Sequence, residues 1–355
     1  MKKIILFFFL FISLSSSAQP YKIIAYATGK AETIKQYPID KLTHIIYSFL
    51  KIQNDTLTFH NQDQENSLQQ LVALKKDNPQ LKIMVSVGGW GGCSFCSLLF
   101  SSDEHRKNFA KTTVALFKKY GIDGLDLDWE YPAIVGYPGH AFTPADKGNF
   151  TELIKALRQE MGNDYLLTFA AGGFVKYLVM SVDWKAVMPL VDFVNLMTYD
   201  LVGGYATTTG HHTALGHLRE HESTAGCVNW LLANKMPANK LIIGAAMYAR
   251  VWENVPGTDH GLYQKGRFLE GVAFADFKNY FSDTSGFTYY WDKKVKAPYQ
   301  YNASKKLFAT FDDKRSIREK TKFIRRKKLG GIMFWELAQD TKTDGLVDVM
   351  YKGLW

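Results

Sequence analysis

A chain of 355 residues with 46% hydrophobic and 22% charged side chains can bury a large core, which excludes disorder as its dominant state. Its formal net charge is +9. Lys and Arg read as scattered, with one short run at Arg325 to Lys328 that marks a solvated helix end, so nucleic acid is not an expected partner.

The N-terminus reads as an export signal. Lys2 and Lys3 precede an apolar run from Ile4 to Leu14, and Ser16 and Ala18 follow at the positions a signal peptidase prefers. That run is too short for a bilayer core of roughly 30 Å. Residues 1–18 are therefore expected to be removed, leaving a mature protein, residues 19–355, that is secreted (extracellular or periplasmic), free of the membrane and monomeric.

Eight short runs rich in Val, Ile, Leu and Tyr follow: Lys22 to Ala27, His44 to Phe49, Lys82 to Gly88, Ile122 to Glu130, Leu166 to Ala171, Val191 to Tyr199, Lys240 to Met247 and Gly331 to Trp335. Helical spacing lies between them at Glu65 to Lys76, Glu104 to Tyr120, Ala145 to Met161, Glu220 to Lys235 and Lys314 to Lys328. Such alternation predicts an α/β fold with a parallel sheet and crossover helices, and eight repeats favour the closed (β/α)8 TIM barrel. About eighty residues separate the seventh strand from the eighth, where a βα unit needs roughly thirty. The stretch from about 252 to 301, rich in Tyr, Phe and Gly, is expected to form a small α+β insertion beside the barrel mouth.

The three cysteines leave at least one unpaired. Cys93 and Cys96 form a C-x-x-C on a loop, where export favours a local disulfide and zinc is the alternative. A redox role lacks the thioredoxin-type context.

The most informative segment is DGLDLDWEYP, Asp123 to Pro132. On a strand Asp126, Asp128 and Glu130 share one face, while Leu125, Leu127 and Trp129 share the other. Three acids then line the barrel interior, with Glu130 at the C-terminal rim where barrel enzymes place their chemistry. Repulsion and desolvation should raise the pKa of at least one, as a general acid needs near neutral pH. A divalent metal could also gather carboxylates, but no His lies near in sequence, and no metal or cofactor is expected. Asp123 lies off this face and has a structural place at the strand's start.

DGLDLDWE resembles the D-x-x-D-x-D-x-E signature of family 18 glycoside hydrolases. Further strand ends resemble that family in order: LTHIIYSF, which holds Phe49; SVGGW, Ser86 to Trp90; MTYD, Met197 to Asp200; GAAMYAR, which supplies Tyr248 and Arg250; and GIMFWE, which supplies Trp335. The resemblance covers nearly the whole mature chain. It implies a chitinase-type enzyme acting on chitin or N-acetylglucosamine oligosaccharides by a retaining, substrate-assisted route. Glu130 would be the acid and Asp128 would hold the substrate's acetamido N–H. Asp126 would share a proton with Asp128, and Tyr199 would donate to the acetamido oxygen. Trp335 would floor the cleavage site, with Tyr26, Phe49, Trp90, Tyr131, Met197, Asp200, Tyr248 and Arg250 lining it. Two other readings stay open: an endo-β-N-acetylglucosaminidase acting on N-glycan cores, and a chitin-binding lectin without catalysis.

Overall fold

Along the first strand, β1 (Lys22–Ala27), Ile23, Ala25 and Ala27 join one apolar cluster while Ile24 and Tyr26 join another. Strands send successive side chains to opposite faces, so this period of two builds two cores, one inside a barrel and one beneath its helices. The computed structural model describes residues 21–216 and 221–355. The export signal expected at residues 1–18 lies outside the described residues.

The strands that follow are β2 (His44–Gln53), β3 (Thr56–Thr58), β4 (Lys82–Gly88), β5 (Gly124–Asp128), β6 (Leu166–Gly172), β7 (Phe193–Met197) and β8 (Leu241–Ala246). Next come β9 (Tyr248–Glu253), β10 (Arg267–Ala273), β11 (Thr288–Asp292), β12 (Ala297–Asn302), β13 (Leu307–Thr310) and β14 (Gly331–Trp335). Eight of these pair in parallel in the order β1, β2, β4, β5, β6, β7, β8, β14, and β14 returns to β1 to close the barrel. Ile24, Ile46, Met84, Phe193, Ile242 and Met333 fill its interior. Leu125 and Leu127 of β5 face outward under the helices.

The helices are fixed at their ends by residues that can satisfy free backbone groups. Asn61 caps Gln62–Ala73 by accepting from Gln64 N, and Asp313 caps Lys314–Lys327 by accepting from Ser316 N at 2.7 Å. Asp103–Tyr120 stops at Gly121, whose φ of 71° suits glycine best. No helix among the described residues is long and apolar enough to cross a membrane.

The ladder of β5 ends at Asp128, where its neighbour β4 ends at Gly88, so Glu130 lies beyond the paired strand at the rim, while Trp129 turns into the core under the helices. Between β8 and β14 the chain builds an antiparallel sheet in the order β10-β9-β13-β12-β11, with Trp252, Tyr301 and Phe308 on one face and Val251, Val272 and Phe311 on the other. This sheet spans Tyr248 to Thr310, beyond the aromatic stretch at 252–301. Only Met247 separates β8 from β9, and the inserted sheet therefore grows directly from the rim.

Candidate active site

Asp126 points into the barrel and is fully buried. Its Oδ1 accepts from Thr168 Oγ1 at 2.6 Å and Asn195 Nδ2 at 3.0 Å, and its Oδ2 accepts from the Tyr26 hydroxyl at 2.8 Å and Ser86 Oγ at 3.1 Å. Ser86 and Thr168 sit in register with Asp126 on the strands at either side. Burial pushes the Asp126 carboxyl upward, and these four donors oppose that shift. Thr168 and Asn195 were missed by the sequence analysis. Their signal is a single polar residue in an otherwise apolar strand, LLTFAAG and FVNLM.

Asp128, two residues on, is buried without such support. Its Oδ1 has no hydrogen-bond partner among the described residues. Asp126 stands behind it, and both carboxyls are raised above the ordinary range. Burial first, then the charges of Glu130 and Asp126, raise the Asp128 carboxyl well above its ordinary range. Glu130 is 8% exposed. Burial, reinforced by the charge of Asp200 and opposed by Tyr131, pushes its carboxyl up to about 7.

A second charged group faces these acids. Asp200 leaves β7 with a φ of 54°, a conformation Asp tolerates. It accepts from Arg250 Nε and, at 2.6 Å, from Arg250 Nη2, and His212 Nδ1 lies 3.4 Å from its Oδ1. Burial alone would raise the Asp200 carboxyl, but Arg250 and His212 outweigh it and hold the group well below the usual carboxylate range. Arg250 and Tyr248 both come from β9, so the inserted sheet supplies part of the site. His212 was missed, since nothing in its sequence surroundings separates it from a core histidine.

Aromatic rings complete the rim. Trp335 stacks on Phe49 with centroids 5.5 Å apart and planes 18° apart. A Cβ on Gly89 would meet the Phe49 ring at 2.5 Å, so only glycine lets that ring lie where it does. Trp90, 46% exposed, touches Tyr131 at 6.2 Å, Tyr137 at 5.7 Å and Tyr205 at 6.1 Å between ring centroids. Tyr137 and Tyr205 lie on irregular loops with no alternation to flag them. Tyr131 meets Phe174 and Tyr177 edge-on. Tyr199 donates its hydroxyl to Met333 Sδ at 3.8 Å and meets Tyr248 edge-on, beside Met197 in the inner cluster.

Tyr26 departs from its expected place. It is 1% exposed and its hydroxyl is committed to Asp126, so it lies beneath the site instead of lining it. Tyr26→Phe removes one donor from a buried carboxyl, a loss of about 1.5–3 kcal/mol. Thermal unfolding should register that loss and kcat should fall, with KM near wild type; a rise in KM alone would return the ring to the wall.

Three sequence features fall outside the acidic cluster. Asp123 pairs with Lys75 at 2.9 Å and accepts from Ile83 N, at the strand's start. Cys93 and Cys96 form a disulfide in the loop after Trp90, and Cys227 is free and buried. Among the described residues no group of three or more His, Cys, Asp or Glu is arranged to hold a metal ion.

Residues 22–340 match the family described as Glycosyl hydrolases family 18. Chitinase A1 of Niallia circulans is 35% identical over 300 residues, covering 77% of this chain; the chain spans 43% of that relative's length. Among solved structures, chitinase ChiA74 from Bacillus thuringiensis superposes with a TM-score of 0.88 at 27% identity, covering 95% of this chain and 70% of the other. A family 18 N-acetylglucosaminidase from Paenibacillus barengoltzii superposes with a TM-score of 0.83 at 35% identity, covering 94% of this chain and 100% of the other.

Proposed function

The chain belongs to glycosyl hydrolases family 18, and from that membership we propose that it hydrolyses β-1,4 linkages between N-acetylglucosamine units in chitin or its oligomers. The observation that carries the proposal is the unpartnered Oδ1 of Asp128, buried between Asp126 and a protonatable Glu130. A buried polar atom without a partner costs about 1–3 kcal/mol, and an acetamido N–H from the substrate satisfies it.

Glu130 protonates the glycosidic oxygen. The acetamido carbonyl oxygen of the substrate, held by Asp128 at its N–H and by Tyr199 at its oxygen, attacks the anomeric carbon as the leaving group departs. An oxazolinium ion forms, Asp128 passes its proton to Asp126 and as the carboxylate stabilises the positive charge, and water, deprotonated by Glu130, opens the ring from the original face. Tyr199 already points a hydroxyl at a weak sulfur acceptor, Met333 Sδ, so exchanging it for a carbonyl oxygen costs little. Trp335 offers an aromatic floor to the apolar face of the sugar, Phe49 backs it, and Trp90, Tyr131, Met197, Tyr248 and the Asp200–Arg250 pair line the cleft.

Asp128→Asn keeps the shape but removes the charge that steadies the oxazolinium ion, so kcat is expected to fall about 10²–10³-fold with little change in KM. The reading itself is tested by comparing N-acetylglucosamine oligomers with glucose oligomers of the same linkage. Cleavage confined to the acetamido series supports it, and cleavage of both series removes the need for substrate assistance.

The likeness to the Paenibacillus N-acetylglucosaminidase favours a second reading of the same site, release of single sugars from chain ends. Product lengths separate the two, monomer alone against dimers and longer pieces. Binding without any cleavage would leave the lectin reading. Export as a monomer through residues 1–18 belongs to the proposal.

A further inference from the structure

The net charge of this protein is not scattered. Residues 314–328 hold nine Lys or Arg and one Glu, a net +8, while the whole sequence sums to +9. The remaining 340 residues therefore carry a net +1. Lys320 is buried in the core, but Arg315, Arg318, Lys322, Arg325 and Arg326 are the exposed positions of the helix Lys314–Lys327, and each is cationic.

Spacings of three and four residues place these five cations on one face of the helix. Among the described residues Arg318, Arg325 and Arg326 have no carboxylate partner; Lys322 pairs with Glu319, and Arg315 lies over the Trp291 ring. Lys296 of the inserted sheet reaches the same helix through Glu319, adding to the positive surface. Holding like charges in a row costs self-repulsion, and a polyanion offsets that cost.

We propose that this helix is a docking surface for a linear acidic polysaccharide carrying about one carboxylate or sulfate per sugar. The row is one helix wide, and its cations recur about once per turn, roughly 5.4 Å. That repeat is close to the length of one pyranose residue, so successive sugars meet successive cations. Duplex DNA presents one charge per about 1.7 Å of axis, a mismatch to this row. A membrane-surface helix needs its apolar face free for lipid, whereas here Ile317, Phe323 and Ile324 are buried against the protein. Arg predominates, and its planar fork suits carboxylate and sulfate oxygens. The proposal is independent of the hydrolytic reading, because none of these side chains belongs to the acidic cluster.

The test uses the full mature chain and polygalacturonate oligomers, with binding followed by calorimetry at several salt concentrations. Wild type is expected to bind with an affinity that falls as salt rises, and Arg318→Glu with Arg325→Glu to weaken binding at least 10-fold. The neutral pair Arg318→Gln with Arg325→Gln should weaken it in the same direction by less, and both variants should cleave soluble oligomers at the wild-type rate. Equal binding by wild type and the charge-reversed variant overturns the proposal. Tighter binding of duplex DNA or anionic lipid vesicles than of polygalacturonate overturns it as well.

Discussion

Glu130→Gln is expected to lower kcat by about 10²–10⁴-fold, the usual worth of a positioned general acid, without loss of fold. The amide keeps the size and buried seat of the carboxyl but has no acidic proton for a leaving oxygen. The pH dependence has a definite sign. Burial holds the carboxyl of the free protein at about 7, so wild-type kcat/KM should fall as pH rises through that value and the acid form is lost. The charge of Asp200 is part of what raises Glu130, so Asp200→Asn should move this alkaline limb to lower pH.

Stability runs the same way. A carboxyl whose folded pKa lies above its unfolded value contributes stability that is present below the unfolded pKa and lost as pH rises through the folded one. Above pH 7 the Gln variant should therefore melt no lower than wild type, a comparison that calorimetric scans at pH 5 and 8 make directly. A variant that melts lower at pH 8 would mean that the Glu130 charge is supported in the fold, against the burial described for it.

The largest effect on stability is expected at Lys320, far from the acids in sequence. Lys320 Nζ donates to Asp312 Oδ2 at 2.6 Å, Thr213 Oγ1 at 2.5 Å and Gly244 O at 3.1 Å, and both members of the ion pair are fully buried. Asp312 also accepts from Ala246 N and Ser316 Oγ. The pair thus joins the exit of the inserted sheet, its following helix and barrel strand β8. Lys320→Ala leaves a buried carboxylate without its counter-charge, a loss of about 3–5 kcal/mol. Replacing both partners, Lys320→Met with Asp312→Leu, removes the stranded charge and should recover part of that loss. Denaturant unfolding separates the outcomes: a single variant within 1 kcal/mol of wild type, or a double variant less stable than the single, contradicts this account.

The parts that were legible in the sequence share a short-range physical origin. Period-two alternation on β5 placed Asp126 and Asp128 on one face, because strand geometry leaves that face no choice, whereas Glu130, expected as the last residue of the strand, lies two residues past its end. Apolar runs located all eight barrel strands, with β1, β4 and β14 at the predicted bounds. What stayed hidden depends on contacts between distant segments. Whether Tyr26 lines the cleft or lies beneath it is decided by Asp126, a hundred residues away, and no local pattern carries that information. His212 and Tyr205 take their places from loops whose paths are set by the inserted sheet. The charge on Lys314–Lys328 was in plain view by count, but only the folded helix shows that its exposed positions are all cationic and that Lys320 is not among them.

The central claim is that the substrate's own acetamido group is the nucleophile. Its most direct test is the anomeric form of the first product released from an N-acetylglucosamine oligomer, read by proton NMR before mutarotation blurs it. The account predicts the β anomer, the configuration retained through an oxazolinium ion held by Asp128. An α anomer at the earliest times would mean direct attack by water and would contradict it.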